Sequence, residues 1–143
     1  MTERTLMCEI VTPERIVYTN EVRMVVAPAI DGEVGVLPLH APLVSALRAG
    51  EVRVRYGDGD RDVEWFAVSG GYIQVHEDKV IILADHALAA SQIDVERAKQ
   101  ALDHAQTRMA EVDESAKHEV DVDELDRELK WCEVQLEVGR HRS

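Results

Sequence analysis

The stretch Glu51-Val52-Arg53-Val54-Arg55-Tyr56-Gly57-Asp58-Gly59-Asp60, followed by the run Val63 to Val68, sets the fold class of the N-terminal part of the chain. Side chains alternate across a strand, so Val52, Val54 and Tyr56 share one face while Glu51, Arg53 and Arg55 share the other. That is a half-buried strand. The Gly/Asp segment supplies turn residues and Val63 to Val68 is a second apolar run, so the pair reads as a β-hairpin. Outward from it, the same period of two predicts strands at Leu6 to Val11, Val22 to Ala27, Val34 to Leu37, Tyr72 to Val75 and Lys79 to Ala84. Many short strands with frequent turns form a sandwich or a barrel.

Beyond about Ser91 the period changes to three and four. Ala98, Ala101, Leu102, Ala105, Met109 and Val112 recur at helical spacing, leaving Glu96, Lys99, Asp103 and Gln106 to face water. A second stripe, Leu125, Leu129, Cys132 and Leu136, predicts a partner helix, and the alanine-rich first stripe admits it closely. Ser91 or Asp94 caps the first helix, Asp121 or Asp123 the second, and Gly139 followed by Arg140 to Arg142 suits a C-terminal end. The bend falls in Asp113 to Glu119, which contains neither Pro nor Gly. The two helices can therefore pair as a hairpin or straighten into one arm, a candidate two-state element.

Composition excludes several classes of function. The 143 residues, 45% of them hydrophobic, supply a core for one domain and an appendage. A net charge of -12 and a pI near 4.8 oppose nucleic-acid phosphates and point to protein partners. No run approaches the roughly 20 apolar residues of a membrane span, and the first residues carry no signal-peptide pattern. Cys8 and Cys132 form no disulfide framework and read as reduced thiols, buried as small hydrophobes.

Candidate catalytic chemistry is sparse. Asp58-Gly59-Asp60-Arg61-Asp62 resembles the opening of a calcium loop, but Val63 and Ser69 stand where glycine and glutamate are needed, so a polar turn is expected. The glycines Gly32, Gly35, Gly70 and Gly71 lack phosphate-loop spacing. None of the six histidines forms a zinc-protease pair, and neither Ser45 nor Ser69 lies in a nucleophile turn. No catalytic or metal-binding residue, and no cofactor, is expected.

The segment Gly32-Glu33-Val34-Gly35-Val36-Leu37-Pro38-Leu39-His40-Ala41-Pro42-Leu43 resembles the signature of the epsilon subunits of bacterial F-type ATP synthases. Val11-Thr12-Pro13-Glu14-Arg15, Val68-Ser69-Gly70-Gly71, Ile82-Leu83-Ala84-Asp85 and Ile93-Asp94-Val95-Glu96-Arg97-Ala98 follow in the family's order. The resemblance implies a flattened ten-stranded β-sandwich over residues 1–88, binding gamma and the c-ring. It implies an antiparallel two-helix hairpin over residues 89–143, a mobile regulatory arm reaching the alpha/beta head. The implied role is a non-catalytic central-stalk subunit that couples proton flow through the c-ring to ATP synthesis, restrains ATP hydrolysis through the arm, and sits peripherally on the cytoplasmic face of the bacterial cell membrane. Membrane association would come only through the complex.

By the same resemblance, Glu33 and His40 match positions near the c-ring loops and gamma, at the membrane end of the sandwich. As a bland alternative, Glu33 is an exposed turn residue and His40 caps a loop. Ile93, Asp94, Arg97 and Ala98 match the motif of the nucleotide-binding members. The further arginines of those members are replaced here by His104 and, in one register, by Glu133 and Glu137, so weak or no ATP binding is expected. The acidic second helix likewise opposes docking on an acidic segment of the beta subunit. The alternative reading of the whole chain is a free-standing protein-binding adaptor.

Overall fold

The computed structural model describes residues 4–112 and 122–141. Ten strands come first: β1 (Leu6–Val11), β2 (Ile16–Val22), β3 (Met24–Ala29), β4 (Gly32–Val36), β5 (Leu43–Leu47), β6 (Gly50–Arg55), β7 (Val63–Val68), β8 (Gly71–His76), β9 (Lys79–Ala84) and β10 (Ala87–Ala89). They form one sheet in the order β10-β7-β6-β3-β5-β8-β9-β1-β2, with β4 on β3. Among the described residues only β1 and β9 pair in parallel; the other ladders are antiparallel. The sheet folds over a single core and is nearly closed, β10 approaching β2. This is the predicted sandwich.

Alternation explains which side chains fill it. Leu6, Cys8 and Ile10 of β1, Val52 and Val54 of β6, Ile73 and Val75 of β8, and Val80 and Ile82 of β9 all point inward and are buried. β7 departs from alternation, since Phe66 and Val68 enter this core while Ala67 is buried in a second cluster on the outside. A strand covered on both faces reads as a continuous apolar run. Burial and the Glu9 carboxylate push the Cys8 thiol up to about 12, so it is an inert core side chain.

Tyr56 is a correction to the predicted inward row: β6 ends at Arg55, and Tyr56 lies exposed in the following turn. There Asp62 accepts from the Gly59 N–H at 3.0 Å and Tyr56 N–H bonds to the Asp62 carbonyl, closing the polar turn. Asp58 turns away to pair with Arg23. The carboxylates do not converge.

A 3-10 turn at Ala90–Gln92 leads into α1 (Val95–Glu111), and α2 (Val122–Gly139) follows. Asp94 caps α1, its Oδ1 accepting from Arg97 N–H at 3.1 Å. For α2, Asp123 lies inside the first turn, and Asp121 and the bend at Asp113 to Glu119 fall outside the described residues. The helices run antiparallel: Gly139 sits against Val95 and Ile93, while Arg108 and Glu128 pair at the other end at 3.7 Å. Ala98, Ala105, Leu125 and Cys132 are buried as expected, but Ala101 is exposed, and Gly139 ends the helix as a buried contact rather than following it as a cap.

Candidate partner interface

The register of four strands assembles an exposed apolar surface. Ala46, Tyr72, Leu83 and Val11 stand side by side on the outer face of β5, β8, β9 and β1. The next row carries Val44, Gln74, Ile81 and Glu9. Val44 is 72% exposed, Tyr72 59% and Leu83 49%. Singly exposed apolar residues are ordinary, but contiguous ones with a polar border mark an interaction surface. Lys79 and Glu9, paired at 3.5 Å, form part of that border. This face was not foreseen from the sequence, although the outward positions of the predicted strands Tyr72 to Val75 and Lys79 to Ala84 contain Tyr72, Ile81 and Leu83.

The loop carrying His40 lies beyond one end of this face. Its backbone is held where Leu39, at φ 69°, donates its N–H to Asp78 Oδ1 at 2.7 Å. His40 N–H bonds to the Leu37 carbonyl, and its Nδ1 donates to the Ala41 carbonyl at 2.7 Å. Leu37 and Leu39 project into solvent at 55% and 70% exposure. Asp78 thus fixes a loop whose apolar tips remain unfilled. Glu33 is elsewhere. It opposes Pro28, one step from the Ala29–Leu47 pair, and reaches Arg53 at 3.3 Å. Register places Glu33 and His40 toward opposite ends of the sheet, so they do not form one site.

The motif at the start of α1 is occupied by structure. Ile93 is buried in a cluster with Ala67, Ala90 and Val138; Asp94 caps; Ala98 packs inward. Arg97 contributes its backbone N–H to the cap while its side chain is exposed. Glu133 and Glu137 on α2 and His104 on α1 are exposed as well.

The second outer face of the sandwich is covered by α2. Trp131, Val134 and Val138, a stripe distinct from the one facing α1, pack on the cluster that includes Trp65, Ala67 and Leu88. Their spacing of three and four was available in the sequence.

Comparison with known proteins decides the family. The family described as ATP synthase, Delta/Epsilon chain, beta-sandwich domain matches residues 5–90. An ATP synthase epsilon chain of Desulforamulus reducens is 49% identical over 106 residues, covering 74% of this chain and 78% of the relative. The chain belongs to the ATP synthase epsilon family. A second epsilon chain, from Brevibacillus brevis, is 48% identical over 103 residues, covering 72% of this chain and 76% of that one. In fold, a chain in the Euglena gracilis mitochondrial ATP synthase structure, titled OSCP/F1/c-ring in rotational state 1, aligns over 96% of this chain and 82% of its own. Its TM-score is 0.76 at 24% identity. A chain from the Tetrahymena thermophila central stalk/c-ring structure gives 0.53 at 14%, covering 66% and 73%. As an epsilon-family chain this is a non-catalytic stalk subunit of the ATP synthase complex. Among the described residues no helix is long and apolar enough to cross a membrane.

Proposed function

We propose that the sandwich grips gamma and the c-ring at the foot of the rotor, that the two helices form a separable arm, and that this arm restrains ATP hydrolysis at the alpha/beta head. The observation that carries the reading is the apolar outer face centred on Tyr72 and Leu83, which is left open when α2 covers the other face. A transmission element has to be stiff, and a nearly closed sheet packed around one core resists shear better than a helix pair does. Gamma would lie across the Tyr72 face; the exposed Leu37 and Leu39 loop beside His40 would meet a neighbouring partner. Coupling proton flow from this position requires no chemistry by the chain itself. The complex would hold it peripherally on the cytoplasmic face of the cell membrane.

Restraint by the arm is set by charge. α2 carries Asp123, Glu124, Asp126, Glu128, Glu133 and Glu137 against Arg127 and Lys130, which limits attraction to an acidic partner segment. Replacing the full chain by a fragment ending at Ala90 in the reconstituted complex is expected to raise ATP hydrolysis by less than about tenfold, under ~1.4 kcal/mol of barrier. Unchanged hydrolysis with the fragment fully incorporated would remove the regulatory half of the reading. A folded fragment that fails to join gamma would remove the division into sandwich and arm.

The same charges bear on nucleotide. Phosphates need converging arginines, and the positions suggested by the family motif present His104, Glu133 and Glu137 instead. Calorimetric titration with magnesium-ATP is expected to show no saturable binding at micromolar ligand. Saturable binding lost in Arg97→Ala would establish a site there.

A further inference from the structure

The loop between β4 and β5 carries a leucine where its backbone suits glycine. His40 N–H bonds to the Leu37 carbonyl at 3.1 Å, which closes a four-residue turn with Pro38 and Leu39 at its centre. Leu39 has φ 69°. Proline at the second position and a positive φ at the third are the pattern of a type II turn, whose third position takes glycine. A leucine there carries the steric cost of the left-handed region. Burial does not offset that cost, because Leu39 is 70% exposed.

Asp78 holds the turn against its preference. Its Oδ1 accepts from the Leu39 N–H at 2.7 Å, and a hydrogen bond to a charged acceptor is stronger than a neutral one. The carboxylate is itself anchored. Glu77 and Asp78, at φ 48° and 58°, form the two-residue connection between the paired residues His76 and Lys79, a conformation that aspartate tolerates better than most side chains. The Asp78 carbonyl accepts from Met7 N–H at 2.9 Å, and its Oδ2 lies 3.5 Å from Arg4 Nη2. A turn fixed to the start of β1 thus holds a strained leucine in water. Exposed Ala41, Pro42 and Val44 connect that leucine to the apolar outer face along the start of β5.

We propose that Asp78 is a positioning residue for gamma, its carboxylate fixing Leu39 in a glycine-type turn so that the leucine is presented as a preformed contact at the end of the Tyr72 face. The inference rests on the reading of that face as the gamma site, and it assigns the loop to the same partner. A side chain held ready loses less freedom on binding than one on a loosely held loop, so the gain is realised in the complex and not in the isolated chain. Strain kept where no core contact benefits from it is the mark of such a site.

Surface plasmon resonance of the full chain against purified gamma, with a denaturant melt of each variant, tests the clasp. Leu39→Ala removes the side chain and keeps the strained backbone; it is expected to weaken binding about tenfold. Leu39→Gly is expected to bind as weakly but to melt at a higher denaturant concentration than Leu39→Ala, because glycine accepts φ 69° without strain. Asp78→Gly, which suits the turn between β8 and β9, is expected to weaken binding about threefold to tenfold, and Asp78→Asn, whose amide oxygen still accepts, to restore most of it. In the Leu39→Ala background Asp78→Gly is expected to add less than about twofold, since the carboxylate acts through the leucine. Equal losses from Asp78→Gly in both backgrounds would make Asp78 a structural residue and overturn the proposal. Native affinity in Leu39→Ala, with loss in Tyr72→Glu combined with Leu83→Glu, would overturn the clasp and leave the gamma face intact. Native affinity in both would overturn the gamma face and the clasp with it.

Discussion

Tyr72→Glu combined with Leu83→Glu is expected to leave the chain folded and to weaken its binding to gamma by two orders of magnitude or more. Both side chains are exposed and neighbours in register, so neither substitution opens a cavity or removes a core contact. If the face is an interface, each buries in the assembly, and the centre of such a patch typically holds residues worth about 2 kcal/mol or more each. Desolvating an unpaired carboxylate adds to that loss. Binding to purified gamma can be followed by surface plasmon resonance, and folding by circular dichroism. Native affinity in the double variant would mean that gamma binds elsewhere. Loss of the folded signal would instead show that these residues support the sheet.

Gly71→Ala should nearly abolish folding. Gly71 opens β8 at φ 140° and pairs with Ala84 of β9; a Cβ built on it overlaps the carbonyl oxygen of Leu83 and crowds the Ala84 Cα. Backbone strain alone costs on the order of 1–3 kcal/mol. The backbone overlap brings the expected loss to about 4 kcal/mol or more, a large part of the ~5–15 kcal/mol available to a domain. Gly32→Ala separates the two effects, since Gly32 has φ 134° but open space around its Cβ position, and it should lose only about 1–3 kcal/mol. Denaturant melts of the two variants decide this, equal losses meaning that overlap with Leu83 is relieved by local movement.

The legible parts of the fold were those where one face of an element meets the core. β1, β7 and β9 begin and end where alternation or a dense apolar run predicts. β2 was not legible because it is an edge strand whose residues are mostly exposed before Val22, so no inward row stands out. β5 hides behind Ser45 at an inward position, and β10 has only three residues. Val22 proved to end β2, with β3 starting at Met24, because Arg23 interrupts the run. α2 carries a second stripe besides the one marked by buried Leu125 and Cys132, with Trp131, Val134 and Val138 facing the sandwich, and the two overlap in sequence so that neither period stands alone.

The candidate site was legible in part for a different reason. A signature quotes residues close in sequence, and it led to Glu33 and His40, which the folded chain separates. The apolar face instead joins Val11, Val44, Ala46, Tyr72, Ile81 and Leu83 through strand register. Register between non-consecutive strands leaves no local mark. The bond of Leu39 to Asp78 is of the same kind, with four strands intervening in the chain.

The most direct measurement places a photo-crosslinking amino acid at position 72 of the full chain and, separately, at exposed position 21 on β2, then reconstitutes each with gamma, alpha, beta and the c-ring. A strong crosslink from position 72 to gamma and a much weaker one from position 21 are expected if gamma lies on the Tyr72 face. A chain that assembles into the complex but crosslinks to gamma from position 21 and not from position 72 would contradict it.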